Sequence, residues 1–240
     1  MAEIQTTSEL SNLTARLTSR SVGKKFLMAG SGVILVLFII GHMLGNLQIF
    51  IGQDQINTYA EKLQSLGPIL WVIRAFMILM LIVHIWFAIK LSLENNAARP
   101  IKYQNKHYVE APLSSRTMIW TGIGVFLFVS YHLMHFTFII TNPEYSNLHD
   151  SLGRHDVYSM MILGFQNYII SGVYIAAIAI LSYHLVHAVK SMFQTVGLND
   201  TSTEPLLHRI AVIFAWFIFL GYISMPIAVL AGIITLPEGV

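Results

Sequence analysis

The chain has 240 residues, 55% of them hydrophobic and only 11% charged, with a mean hydropathy of +0.64. A soluble domain carries about 25% charged residues, and a soluble all-α protein rarely has several long apolar runs without a charge. There is no cysteine, which excludes disulfides, thiolate-ligated haem, a c-type attachment site and a cysteine-held iron–sulfur cluster within this chain.

The elements follow in chain order. Residues 1–22 are polar, lack an apolar core of their own and do not read as a cleavable signal; a cytoplasmic arm is expected over 1–24 and a membrane domain over 25–240. Between Lys25 and Asp54 no charge intervenes, which predicts a first spanning helix over 25–51. About 20 apolar residues suffice to cross a bilayer. The polar loop 52–68 is expected to hold a short helix around 57–66. A second helix is predicted over 69–93, although it contains Arg74 and Lys90. The loop 94–115 is basic and carries Arg99-Pro100 and Ala111-Pro112, both helix-breaking pairs. A third helix is predicted over 116–140 and a turn at Asn142-Pro143. One long fourth helix is predicted over 157–195, and a fifth over 206–235 with a kink at Pro226, where a backbone hydrogen bond is lost. The fold class is therefore all-α, an integral membrane bundle of five transmembrane helices.

Alternating the ends of these helices places Arg16, Arg20, Lys24, Lys25, Lys90, Arg99, Lys102, Lys106, Arg116, Lys190 and Arg209 on one side, and only Lys62, Arg74 and Arg154 on the other. The positive-inside rule then puts the N-terminus in the cytoplasm. The expected location is a bacterial cytoplasmic membrane, with lipid as the surrounding partner and no nucleic acid.

Four histidines stand late in four different apolar segments: His42, His84, His132 and His184. Ionisable side chains inside a membrane are costly and mark function. With a rise of about 1.5 Å per residue, His42 lies about 26 Å above Lys25 and His132 about 24 Å above Arg116. His84 and His184 each lie about 9 Å above Lys90 and Lys190. The four thus fall in two planes about 16 Å apart, His42 with His132 and His84 with His184. Two facing histidines suit the iron of a six-coordinate b-type haem, which leaves no position open for oxygen chemistry and favours electron transfer. Two haem b groups are expected, with small residues such as Gly41 and Gly45 letting a macrocycle approach the backbone. A lone membrane histidine is more often an interhelical hydrogen-bond partner; the matched depths are what favour ligation. His135 and His187 each follow a chosen histidine by three positions and lie on nearly the same helix face. Depth argues against His187 as a ligand but does not decide between His132 and His135, which could instead bond a haem propionate or a quinone. Helices one and three, and two and four, carry a faint repeat, with offsets of 90 residues (His42 to His132) and 100 (His84 to His184).

The segments Gly41-His42-Met43-Leu44-Gly45-Asn46-Leu47, Ile82-Val83-His84, Phe128-Val129-Ser130-Tyr131-His132-Leu133 and Tyr183-His184, followed by Ser191-Met192-Phe193, together resemble the di-haem cytochrome b membrane anchor of succinate:quinone oxidoreductases, the single-polypeptide five-helix type of succinate dehydrogenases and fumarate reductases. The resemblance covers all five helices in order. It implies His132 and His184 as ligands, with His135 and His187 as haem neighbours, and it implies the pairing of helix one with three and two with four. It further implies a flavoprotein subunit that oxidises succinate, so no such site in this chain, and an iron–sulfur subunit docked on the cytoplasmic face. A quinone, expected to be menaquinone, would take the electrons, and the complex could form a higher oligomer. Some fumarate-reducing members carry a proton-transferring glutamate two residues before the fourth-helix ligand; here Ser182 stands there, which favours the succinate-oxidising direction.

A quinone site needs an apolar slot with a few polar groups, one able to move a proton. Glu61 and Arg74 are the chosen pair among the polar groups expected at the outer end, which also include Asn46, Gln48, Tyr59, Gln64, Gln166 and Asn167; an inner site near the iron–sulfur partner is the alternative. The competing reading is a solvated loop acid and a snorkelling arginine. Lys24, Lys25, Arg116 and Lys190 could pair propionates or be ordinary interfacial cations. Two further readings of the whole chain are a di-haem anchor of another quinone-linked dehydrogenase, such as a hydrogenase or formate dehydrogenase, and a transporter with histidine proton relays.

Overall fold

Backbone groups in lipid must be satisfied within the chain, which leaves an apolar chain of this kind to fold as helices. The computed structural model describes residues 20–98 and 117–237. Most of the arm 1–24 lies outside these, as do Arg99, Lys102, Lys106 and Arg116 of the basic loop. Among the described residues, five helices are long and apolar enough to cross a membrane. They are α1 (Ser21–Asn46), extended by a 3-10 turn Leu47–Phe50, α3 (Pro68–Ala97), α4 (Met118–His132), extended by a π turn Leu133–Thr137, α6 (Tyr168–Thr195) and α7 (Glu204–Leu230). Two shorter helices lie at one end, α2 (Gln53–Gln64) and α5 (Val157–Gln166).

The expected fourth helix over 157–195 is not continuous. The charge-free run conceals a break at Asn167, which is extended (φ −76°, ψ 114°). Its side chain accepts hydrogen bonds from the amides of Ile169 and Ile170, so it caps a new helix and satisfies donors that the break exposes. The α5 segment is thereby freed to pack beneath α2. Glycine permits the turns that flank α2: Gly52 has φ +131° and Gly67 φ +54°, conformations that side-chain-bearing residues resist.

Packing is uneven. A third of the apolar window of α6 and of α7 is buried, against 6% in α3 and α4. α6 and α7 pack along each other, α3 lies along α1, and α4 lies along α6. One core joins Met43 of α1 to Ile178, Leu181 and Leu185 of α6 and to Ala215 and Ile218 of α7. A second core sits at the α2/α5 end, where Ile56, Ile162, Phe165, Tyr174 and Met225 meet. The opposite end is tied by ion pairs. Lys24, 4% exposed, pairs with Glu94 and joins α1 to α3; Lys190 pairs with Glu204 and joins α6 to α7.

The α2 end is held by a polar clamp. Asn57 is fully buried and donates to Asp156 Oδ1 (2.9 Å) and Asp150 Oδ2 (3.1 Å), while its own Oδ1 accepts from the Tyr158 amide. Asp156, 1% exposed, also accepts from Gln53 Nε2 (2.8 Å) and from the Ser159 amide at the start of α5. Arg154 joins Asp150 (2.7 Å), Thr58 (2.7 Å) and Asp54 (2.9 Å). Three donors converge on one carboxylate, so α2 is bolted to the loop before α5.

Burial pushes the Asp156 carboxyl up, but the bonds from Ser159, Asn57 and Gln53 outweigh it and hold the group below the ordinary carboxylate range. Burial likewise raises Asp150, and Arg154, Asn57 and nearby amides more than offset it. An aspartate whose folded value lies below the unfolded value of about 3.9 stabilises the fold fully above that pH. That stability is lost as pH falls below about 4, through the folded values. Asp156→Ala leaves buried donors unpaired, at about 1–3 kcal/mol each. The variant is expected to unfold at lower temperature than wild type in detergent at pH 7, with the gap narrowing as the pH is taken below about 4.

Candidate functional site

The mid-bundle histidines sit on four helices, and a neighbouring helix receives each of them. At the α2 end, His42 of α1 and His132 of α4 approach with ring centroids 5.6 Å apart and planes at 81°. Phe38 stacks on His42 at 5.4 Å, and Tyr222 of α7 lies 6.2 Å from it while donating to the Ile39 carbonyl. Asn46 bonds the His42 carbonyl (2.7 Å) and lies 3.3 Å from both ring nitrogens.

Nearer the ion-paired end, His84 reaches from α3 to α1. Its Nδ1 lies 3.2 Å from the Met28 carbonyl, and its Cε1 would be 3.4 Å from a Cβ at Gly32. His184 reaches from α6 to α4 in the same way. Its Nδ1 lies 3.1 Å from Thr121 Oγ1, and its Cε1 would be 3.7 Å from a Cβ at Gly122. The two seats repeat. Gly32 and Gly122 are 90 residues apart, as are His42 and His132. On each helix the seat precedes the histidine by ten residues, a rise of about 15 Å. The contacts therefore set two levels close to the spacing expected from the flanking cations.

The Met28 carbonyl can only accept, which assigns the proton of His84 to Nδ1, and the Thr121 hydroxyl, whose own proton goes to the Thr117 or Met118 carbonyl, has its oxygen free to accept from Nδ1 of His184; Nε2 is then the lone-pair nitrogen of each ring. A metal-bound histidine is held in this way, with its other nitrogen donating to a carbonyl or hydroxyl. At the upper level, two imidazoles on opposite sides of one metal, each at about 2 Å, have centroids about 6 Å apart. The observed separation of 5.6 Å is of that size, and the two rings meet edge to face. Among the described residues no three His, Asp or Glu side chains gather as a bare metal ion would require. His42 and His132 stand as a pair, the number of side-chain ligands that a macrocycle with its own equatorial nitrogens would take from the protein. His84 and His184, seated on α1 and α4 near one level, would be the residues to hold a second such group.

His135 and His187 are separated from this set. His135 is fully buried, and its ring is 4.0 Å from Phe136, 5.5 Å from Tyr131 and 6.2 Å from Tyr145. Its Nδ1 bonds the Tyr174 hydroxyl at 2.9 Å. The π turn over Leu133–Thr137 adds a residue to the turn and swings His135 off the face that His132 presents. The ring contact with His42 belongs to His132. His187 is partly buried, and its Nδ1 has no hydrogen-bond partner among the described residues.

The chosen quinone pair is not brought together. Glu61 is exposed on α2, while Arg74 of α3 lies over the Trp71 ring at 4.9 Å, a cation–π arrangement. Among the described residues no ion pair joins them. The polar groups of that end serve other ends: Gln48 bonds Gln55, Tyr59 packs on Gly45, and Asn167 caps α6. Sequence reasoning missed Met28, Thr121 and Tyr174 as partners of the histidines. The 90-residue offset could have located Gly32 and Gly122, since it was already visible in His42 and His132. No family model, curated protein or solved structure matches this chain.

Proposed function

We propose that the chain is the membrane anchor and di-haem b electron-transfer subunit of a succinate:quinone oxidoreductase. The observation that carries the haem assignment is the repeated seat: two histidine rings meeting edge to face at one level, and two histidines held through Nδ1 on glycine-lined helix faces about 15 Å away. The dehydrogenase assignment rests on the ordered histidine segments of the sequence. Bound haem supplies one-electron transfer at a six-coordinate iron.

In this reading His42 and His132 hold the outer haem, and His84 and His184 the inner one. The Met28 carbonyl and Thr121 hydroxyl fix the tautomer and orientation of the inner ligands, and Gly32 and Gly122 let the imidazoles lie close to the helix backbone. The ion-paired end, with Lys24 and Lys190, faces the cytoplasm by the positive-inside rule. An iron–sulfur subunit docks there and delivers electrons from succinate oxidised in a flavoprotein subunit. Quinone, of the menaquinone type, is reduced in the membrane. The membrane is the bacterial cytoplasmic one.

The complex purified through a tag on this chain is expected to contain a flavoprotein and an iron–sulfur polypeptide. It should show reduced b-haem absorbance equivalent to two haems per chain. A colourless preparation would sink the reading, and a nickel- or molybdenum-containing partner would redirect it to another dehydrogenase. Each of His42→Ala, His132→Ala, His84→Ala and His184→Ala should lower haem content from two to one per chain. The first two should remove the same spectral component and the last two the other, while His135→Ala retains both. Loss of one common haem from His42→Ala and His84→Ala would refute the pairing. Gly32→Ala adds a methyl at ordinary contact distance from His84 and should keep both haems. Gly32→Leu and Gly122→Leu overfill the seats and should lose the inner haem alone.

A further inference from the structure

The Tyr174 hydroxyl lies between two histidines of α4: 2.9 Å from His135 Nδ1 and 3.5 Å from His132 Nδ1. Tyr174 is on α6 and is 6% exposed. Its ring is fixed by edge contacts with Phe128 (5.1 Å), Phe165 (5.2 Å) and Phe136 (5.8 Å). The position of the hydroxyl is therefore set by packing, independently of its polar partners. A buried tyrosine hydroxyl has one proton to donate and lone pairs to accept with.

We propose that Tyr174 is the positioning residue of the outer-level site: its hydroxyl holds the ring of His132 through Nδ1 and is itself oriented by the buried His135. This rests on the reading of His132 as a haem ligand. Ligation through Nε2 leaves the proton of His132 on Nδ1, pointing at the Tyr174 oxygen. The hydroxyl proton then goes to His135 Nδ1, and the chain closes in one direction, His132 to Tyr174 to His135. The inner seats carry the counterpart of the first link, where Met28 and Thr121 oxygens face Nδ1 of His84 and His184. The outer level differs in that its acceptor is a tyrosine hydroxyl with a second histidine behind it.

Local backbone supports a dedicated role for His135. Its placement needs the π turn, closed by the Phe138 amide on the Leu133 carbonyl at 2.7 Å. Two residues after the turn, Ile139 has φ +53°, a conformation costly for a β-branched residue. A π turn of this kind recurs at functional sites. His135 Nε2 has no hydrogen-bond partner among the described residues although it is fully buried. These costs are hard to account for in a ring that only fills space, which phenylalanine would do without them.

The physical consequence concerns the ligand. A hydrogen bond accepted from Nδ1–H raises the basicity of the coordinating nitrogen, which favours the oxidised iron and lowers its potential. Tyr174→Phe keeps the ring contacts and deletes the hydroxyl. In the purified complex it is expected to retain two haems per chain by pyridine haemochromogen assay. The potentiometric midpoint of the component lost in His132→Ala should rise, and its low-spin ferric EPR signal should shift, with the other component unchanged. His135→Phe removes the group that orients the hydroxyl and should move the same midpoint in the same direction by less. The second variant decides the matter if Tyr174→Phe fails to assemble. Unchanged midpoint and EPR signal in whichever variant assembles, or equal shifts of both haems, would overturn the role of Tyr174. A wild-type complex without haem would instead overturn the ligand assignment on which it rests.

Discussion

An imidazole in the apolar middle of a helix bundle must find its hydrogen-bond partner within the protein, because lipid offers none. The arrangement of α1, α3, α4 and α6 answers to that constraint. His84 reaches a carbonyl on α1, His184 a hydroxyl on α4, and His132 a tyrosine on α6. Each contact requires two helices to approach at a particular depth, and glycine stands at the two inner approaches. The polar groups thus set the register of helices whose apolar surfaces would otherwise slide with little cost, since lipid tails are as apolar as the side chains they replace.

The same constraint accounts for the division of the molecule. α6 and α7 pack through a conventional apolar core around Ile178, Leu181 and Ile218. α3 and α4 bury little of themselves; they lie along α1 and α6 and are further tied by His84, by the Thr121–His184 contact, by the contact of His132 with His42, and by the Lys24–Glu94 pair. The α2 end is closed by another kind of chemistry. There Asn57, Asp150, Arg154 and Asp156 form a buried clamp whose polar atoms are satisfied by one another. Polar groups can do this at a membrane boundary, where the chain leaves the hydrocarbon and can turn.

How much of this was legible beforehand depends on the residue. The five apolar helices were legible because long runs without charge leave little alternative in a chain this hydrophobic. The four histidines were legible because each interrupts such a run at a depth that can be counted. The break at Asn167 was not: its polar side chain stands in a stretch without charge, and only its hydrogen bonds to the Ile169 and Ile170 amides show that the helix restarts. Glu61 and Arg74 were matched on chemistry, yet α2 turns Glu61 to the outside while Arg74 settles on Trp71. The partners of the inner histidines were hidden as well, because a backbone carbonyl such as that of Met28 carries no signature in the side chain.

By itself the sequence determined an all-α protein with five helices fit to cross a membrane, and four histidines at two depths within them. Periodicity, charge spacing and the rise of a helix are local properties, and counting along one helix is enough to read them. Only the tertiary structure decided that His132, rather than His135, meets His42. The two residues are one turn apart, and the outcome depends on a π turn that rotates His135 toward Tyr174. The residues of that turn pack against Tyr174 of α6, Gly164 and Phe165 of α5, and Tyr145. Which face a side chain presents can be counted along a regular helix. It cannot be counted through an irregular turn whose geometry is set by what packs against it.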